Sequence, residues 1–237
     1  MKLYALAAFL PLLASAAPAC QSADTSSTPA ASAAPSSHPT SIPTPSPGAG
    51  ADAEIIITPA QIKAFAPQSV SCFNVTQFPE ECATAEDAAP AISKAFQYFG
   101  LTSKAEQAAV LGLMAFETGD FRYNKHHFPT PTAGQGTRNM QSADYNKEYA
   151  LSFPALAPRV KEAGDDMEAI LDIVLEDPVR DFGSGAWFLT TQCTAEQREA
   201  LKSGSEEGWA GYIADCVKTG VDDRRDYWNA AKKALGI

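Results

Sequence analysis

Glu117 is the residue whose placement most invites chemistry. It closes the run Ala108 to Phe116, which is apolar on nearly every side and is expected to form a central, buried helix. A carboxylate at a helix C-terminus meets the negative end of the macrodipole, and flanking Phe116 and Phe121 add desolvation. Both effects favour the neutral acid. An uncharged carboxylic acid can protonate a departing oxygen, as glycosidic cleavage requires. The other arrangement open to Glu117 is an ion pair with Arg122 or Lys125 at a fraying helix end. Inversion at a sugar carbon needs a second carboxylate to activate water, and Asp120, Asp144 and Glu148 are the candidates. Asp120 lies close enough in sequence to tune Glu117 instead. Tyr123, Gln135, Arg138, Asn139, Gln141 and Tyr145 are candidates to line sugar subsites, aromatic rings under pyranose faces and amides on N-acetyl groups. His126-His127 has no third ligand at metal spacing and reads as a surface pair, so no metal and no cofactor are expected.

Helices must position these groups. Thr58-Pro59-Ala60-Gln61 combines an N-cap, an N1 proline and a capping-box glutamine. A second helix is expected over Ala85 to Phe99, ended by Gly100. Ser103 and Glu106 form a further capping box opening Lys104 to Thr118, with Gly119 as its stop. More helices are expected near Ala143–Phe153, Asp166–Leu175, Val179–Thr191, Ala195–Lys202, Glu206–Lys218 and Asp223–Leu235. Ile55-Ile56-Ile57 is the clearest β-branched run, and Phe121 to Gln141 has room for a small hairpin. The fold class is therefore mainly α, with a lysozyme-like α+β arrangement as the variant.

Two segments carry a resemblance. Glu117-Thr118-Gly119, followed by the Gly-rich turn Gly134-Gln135-Gly136-Thr137-Arg138-Asn139 with Met140-Gln141, resembles the lysozyme-like superfamily, in particular lytic transglycosylases and goose-type lysozymes. Gly183 to Cys193, with Ala186-Trp187-Phe188, is similar to the packing helix of plant-type chitinases and phage-type lysozymes; Trp187 itself reads as core. Asn139 stands where the family usually has Leu, and the loop carrying His126 and His127 is longer. The resemblance covers about Ala85 to Leu235 and has the look of a secreted fungal member. It implies a monomeric glycosidase, a hydrolase or lyase with Glu117 as general acid, acting on peptidoglycan, chitin or chitosan. The alternative is a non-catalytic glycan-binding or effector protein on the same scaffold.

Composition bounds the rest. The 237 residues carry 18 basic and 28 acidic side chains, a formal net charge of −10, which excludes binding nucleic acid through a broad basic face. That charge also disfavours an anionic wall polymer and favours cationic chitosan. Residues 1–17 read as a signal peptide: Lys2, an apolar run to Leu13 too short to span a bilayer, and small residues at Ala14-Ser15-Ala16. The expected location is extracellular, with no membrane partner. In residues 18–53, 30 of 36 positions are Ala, Ser, Pro, Thr or Gly, too few apolar groups to offset chain entropy, so a disordered linker is expected. Residues 54–237 then form the domain. Cys20 falls in the linker, and Cys72, Cys82, Cys193 and Cys216 allow three pairings, of which Cys72–Cys82 with Cys193–Cys216 closes the shortest loops. Asn74-Val75-Thr76 is a glycosylation sequon, expected for a eukaryotic secreted chain.

Overall fold

The computed structural model describes residues 54–237, so the signal peptide, the linker and Cys20 lie outside the described residues. The protein is mainly α, a single helical domain in which no strand forms among the described residues. The order is α1 (Pro59–Phe65), α2 (Ala85–Tyr98), α3 (Lys104–Thr118), α4 (Ala143–Leu151), α5 (Ala157–Ala163), α6 (Met167–Leu175), α7 (Pro178–Gln192), α8 (Ala195–Lys202), α9 (Glu206–Gly211) and α10 (Arg225–Leu235).

The N-termini follow local hydrogen-bonding chemistry. Thr58 with Gln61, Thr84 with Asp87 and Thr194 with Gln197 each close a capping box at the start of α1, α2 and α8. The expected box at α3 closes only halfway. Ser103 accepts the Glu106 amide, but the Glu106 carboxylate turns to the Arg198 guanidinium at 2.8 Å, because burial makes a charged partner worth more than a cap. Helix α5 starts without a side-chain cap and is not among the helices expected from the sequence. The expected Glu206–Lys218 helix stops being α-helical at Gly211 and continues as a wider π turn, Tyr212–Val217. Cys216 leaves that turn to bond Cys193, and Cys72 bonds Cys82.

Helix α3 is the core of the domain, packed by α7, α8 and α10, while α2 lies on α1 and α7 and a second group is made by α4, α5 and α6. Eleven consecutive residues of α3, Ala105 to Ala115, are buried. The crossing with α10 depends on Gly112, since a Cβ there would stand 2.9 Å from Trp228 Cα and backbone nitrogen. Trp228 stacks on Trp209 at 4.5 Å between ring centres, which closes that side of the core.

Ile55 to Ile57 pairs with no strand. The Ile55 and Ile57 amides donate instead to Gln97 Oε1 (3.1 Å) and Ser93 Oγ (2.9 Å) on α2, so side chains replace the missing ladder. The 121–141 segment likewise holds only isolated antiparallel bridges, Lys125 to Gly136 and Gly136 to Gln141. Positive φ at Gly134, Thr137 and Met140 turns the chain too often for a hairpin to run.

Gly112→Ala is expected to lower stability by about 2 kcal/mol, because backbone atoms of α10 cannot give way as a side chain would. Denaturant unfolding of the two proteins measures it.

Candidate functional site

The structure settles what Glu117 touches. Its Oε1 accepts from Arg224 Nε at 2.8 Å and Nη2 at 2.6 Å, and Arg224 lies over the Phe116 ring at 4.4 Å. Glu117 is thus an ion-pair partner, with Arg224 in place of the nearby Arg122 or Lys125; Lys125 is bonded to Asp172. Beside it, buried Asp120 accepts the Gln68 amide and the Tyr227 hydroxyl, each at 2.8 Å. Burial first, then the bond to the Asp120 carboxylate, pushes the Tyr227 phenol up to about 12. Tyr212 is pushed up as well, by burial and by the Glu117 charge. These contacts join the end of α3 to the start of α10.

The remaining sequence candidates divide in two. Asp144 and Glu148 are exposed on α4, and no hydrogen bond joins either to Glu117. Tyr145 is half-buried against Phe188, ring centres 5.0 Å apart. Gln135 spends its amide on the Met140 carbonyl at 3.1 Å. Arg138, Asn139 and Gln141 are brought together but turn inward, at 3%, 7% and 5% exposure, where none reaches a ligand outside.

Arg138 is the centre of this inward group. Its Nε donates to Asp181 Oδ2 (2.8 Å), Nη1 to the carbonyls of Phe121 (2.8 Å) and Tyr123 (3.1 Å), and Nη2 to the carbonyl of Glu81 (2.6 Å). Asp181 also accepts from Asn124 at 3.1 Å. Burial pushes the Asp181 carboxyl above the usual carboxylate range, and the Arg138 guanidinium and Asn124 work against that rise.

From Glu81 the network reaches a surface cleft. Glu81 Oε2 accepts the amides of Asn124 (3.0 Å) and Lys125 (3.3 Å), and Oε1 meets His127 Nε2 at 2.8 Å. His127 lies flat on Phe78, 3.5 Å between ring centres, with Tyr123 edge-on at 6.0 Å and Phe128 at 6.0 Å. Next to it is a cavity of about 230 Å³ lined by Lys125, His126, His127, Gln135, Glu168 and Leu171. His127 is therefore a largely buried member of a carboxylate–imidazole pair, and the surface-pair expectation is corrected. Glu81, Phe78 and Asp181 are likewise absent from the candidates that the sequence offers. The carboxylate and its histidine stand 46 residues apart, and no local spacing announces such a pair.

No family model matches the chain, and no solved structure matches it. A bifunctional dioxygenase–epoxy alcohol synthase from Fusarium oxysporum (strain Fo5176) is 44% identical over 157 residues, which is 63% of this chain and 12% of that relative. The chain thus spans a small part of the curated relative it matches. This likeness overturns the lysozyme-like assignment. With it go the glycosidase activity, the general-acid role of Glu117 on an amino-sugar polymer, the cell-wall and polysaccharide partners, and the glycan-binding alternative on that scaffold. The Glu117–Arg224 pair agrees with the correction, since that carboxylate already has a cationic partner.

An enzyme that joins O₂ to an organic substrate draws on a metal or an organic group that carries the electrons. Among the described residues no three His, Cys, Asp or Glu side chains come together, and His127 is committed to Glu81 through Nε2. Among the described residues the donor set therefore offers no three-ligand metal site.

Two outcomes test these contacts. Arg138→Lys is expected to cost about 3 kcal/mol in denaturant unfolding, because an ammonium cannot serve four acceptors spread over three segments. Tyr227 has a folded pKa raised above its unfolded value near 10, so its stabilising effect is whole below pH 10 and is lost as pH rises through about 12. Tyr227→Phe is expected to cost about 1 kcal/mol at pH 7 and to flatten the loss of stability between pH 10 and 12, read by unfolding at each pH.

Proposed function

We propose that this domain serves an oxygenase reaction as the site that receives an oxygenated small molecule with a large apolar part. The shared 157 residues support the link, because the relative is named for making epoxy alcohols. The observation that carries the reading is the aromatic wall of Phe78, Tyr123 and Phe128 beside the His127–Glu81 pair. Aromatic surface holds a hydrocarbon chain without regard to its exact length, and one hydrogen-bonding group at the end of that wall selects an oxygen function. The small cavity beside His127 suits the oxygenated end of such a molecule, while Phe78 and Phe128, 37% and 52% exposed, are open to the apolar remainder. The relative's dioxygenase and synthase activities as a whole are not carried over, since the match is confined to 12% of its length.

Calorimetric titration with an unsaturated long-chain hydroperoxide, the epoxy alcohol formed from it and the saturated parent alcohol tests the reading. Binding of either oxygenated probe at least about 10-fold tighter than the parent, weakened by Phe78→Ala, is expected. Equal, Phe78-independent binding of all three contradicts it.

A further inference from the structure

We propose that His127, held by Glu81, adds water across an epoxide, so that the domain consumes an epoxy alcohol. This rests on the reading above and deepens it from binding to a reaction. A carboxylate offers only acceptors, so the 2.8 Å contact of Glu81 Oε1 obliges a neutral His127 to carry its proton on Nε2. Nδ1 then bears the free lone pair, and the one hydrogen bond the His127 ring makes among the described residues is that of Nε2 to Glu81. Two neighbours hold the ring in this pose. Phe78 covers one face at an interplanar angle of 4°, and Glu81 is itself fixed by the amides of Asn124 and Lys125 through its other oxygen. A base whose tautomer and plane are both fixed, next to a cavity large enough for a water and an epoxide, is an arrangement for proton abstraction rather than for packing. Packing alone would be better served by an apolar ring than by a buried carboxylate whose charge must be compensated.

The steps balance without any further reagent. A water O–H breaks and its proton passes to His127 Nδ1, while the water oxygen bonds to an epoxide carbon. The electrons of the breaking C–O bond go to the epoxide oxygen, which takes a proton from the Tyr123 hydroxyl. That hydroxyl has no hydrogen-bond partner among the described residues, and its ring stands edge-on to His127. The proton on His127 then returns to the Tyr123 oxygen through solvent. An epoxy alcohol becomes a triol, and neither oxidant nor reductant is used. Glu81 touches no substrate in this scheme and is a positioning residue.

The full chain is incubated with the epoxy alcohol probe in H₂¹⁸O, and products are read by mass spectrometry alongside calorimetric binding of the same probe. One labelled oxygen in a triol is expected. His127→Gln should slow its formation at least about 100-fold while the probe still binds. Glu81→Gln should lower kcat by roughly 10-fold with KM unchanged, a split that a merely structural role would not produce. Should His127→Gln fail to fold, Tyr123→Phe keeps the wall and removes only the proton donor, and is expected to lower kcat. Binding without a labelled triol, or turnover unaffected by these variants, overturns the epoxide reaction and leaves the binding reading standing. Absence of binding overturns both.

Discussion

A guanidinium buried to 3% exposure cannot be left to solvent, and the architecture around Arg138 is the consequence. Its donors are spent on the carboxylate of α7, on two carbonyls of the loop after α3 and on the carbonyl of Glu81 ahead of α2. Three segments far apart in sequence are thereby placed at fixed distances, although no sheet joins them. Asn124 completes the arrangement by bonding Asp181 with its side chain and Glu81 with its backbone. These contacts tie down the irregular 121–141 segment. It has few backbone bridges, and buried polar contacts take their place.

The same contacts explain why a largely buried histidine can stand at the edge of a cleft. Glu81 lies within the reach of Arg138 through its carbonyl and within the reach of His127 through its carboxylate, so the burial of one charge orients the other. The second polar cluster, Glu117 with Arg224 and Asp120 with Tyr227, serves a different end of the molecule and ties α3 to α10. The two clusters share the turn at Gly119, Asp120 and Phe121, where three successive residues hold positive φ. Such a turn persists only when its surroundings over-determine it, and buried Asp120, bonded by Gln68 and Tyr227, supplies that support.

Helices were legible because their signals are local. Caps at Thr58 and Thr194, and the stops Gly100 and Gly119, mark ends within a residue or two of those found. The site was not legible because its bonds are long-range: 46 residues separate Glu81 from His127, and 107 separate Glu117 from Arg224. The Glu-Thr-Gly motif misled for a physical reason. Gly119 takes the left-handed C-cap, with φ 58°, and the Thr118 hydroxyl bridges the Met114 carbonyl and the Phe121 amide. Helix termination alone therefore accounts for Thr118 and Gly119, whatever residue precedes them. The Gly-rich turn is likewise accounted for by packing, since a Cβ at Gly134 would meet Met167 Cβ at 2.6 Å and one at Gly136 would strike the Asn124 carbonyl. Residues that serve the backbone can imitate the spacing of residues that serve a substrate.

The central claim is that Arg138 holds the Glu81–His127 pair in place. Hydrogen exchange at the Asn124 and Lys125 amides, which both donate to Glu81, reports on that link without any ligand. In the Arg138→Lys protein the account predicts that these two amides lose protection together and by more than the amides of α3. Protection at Asn124 and Lys125 that falls no further than that of α3 would contradict it.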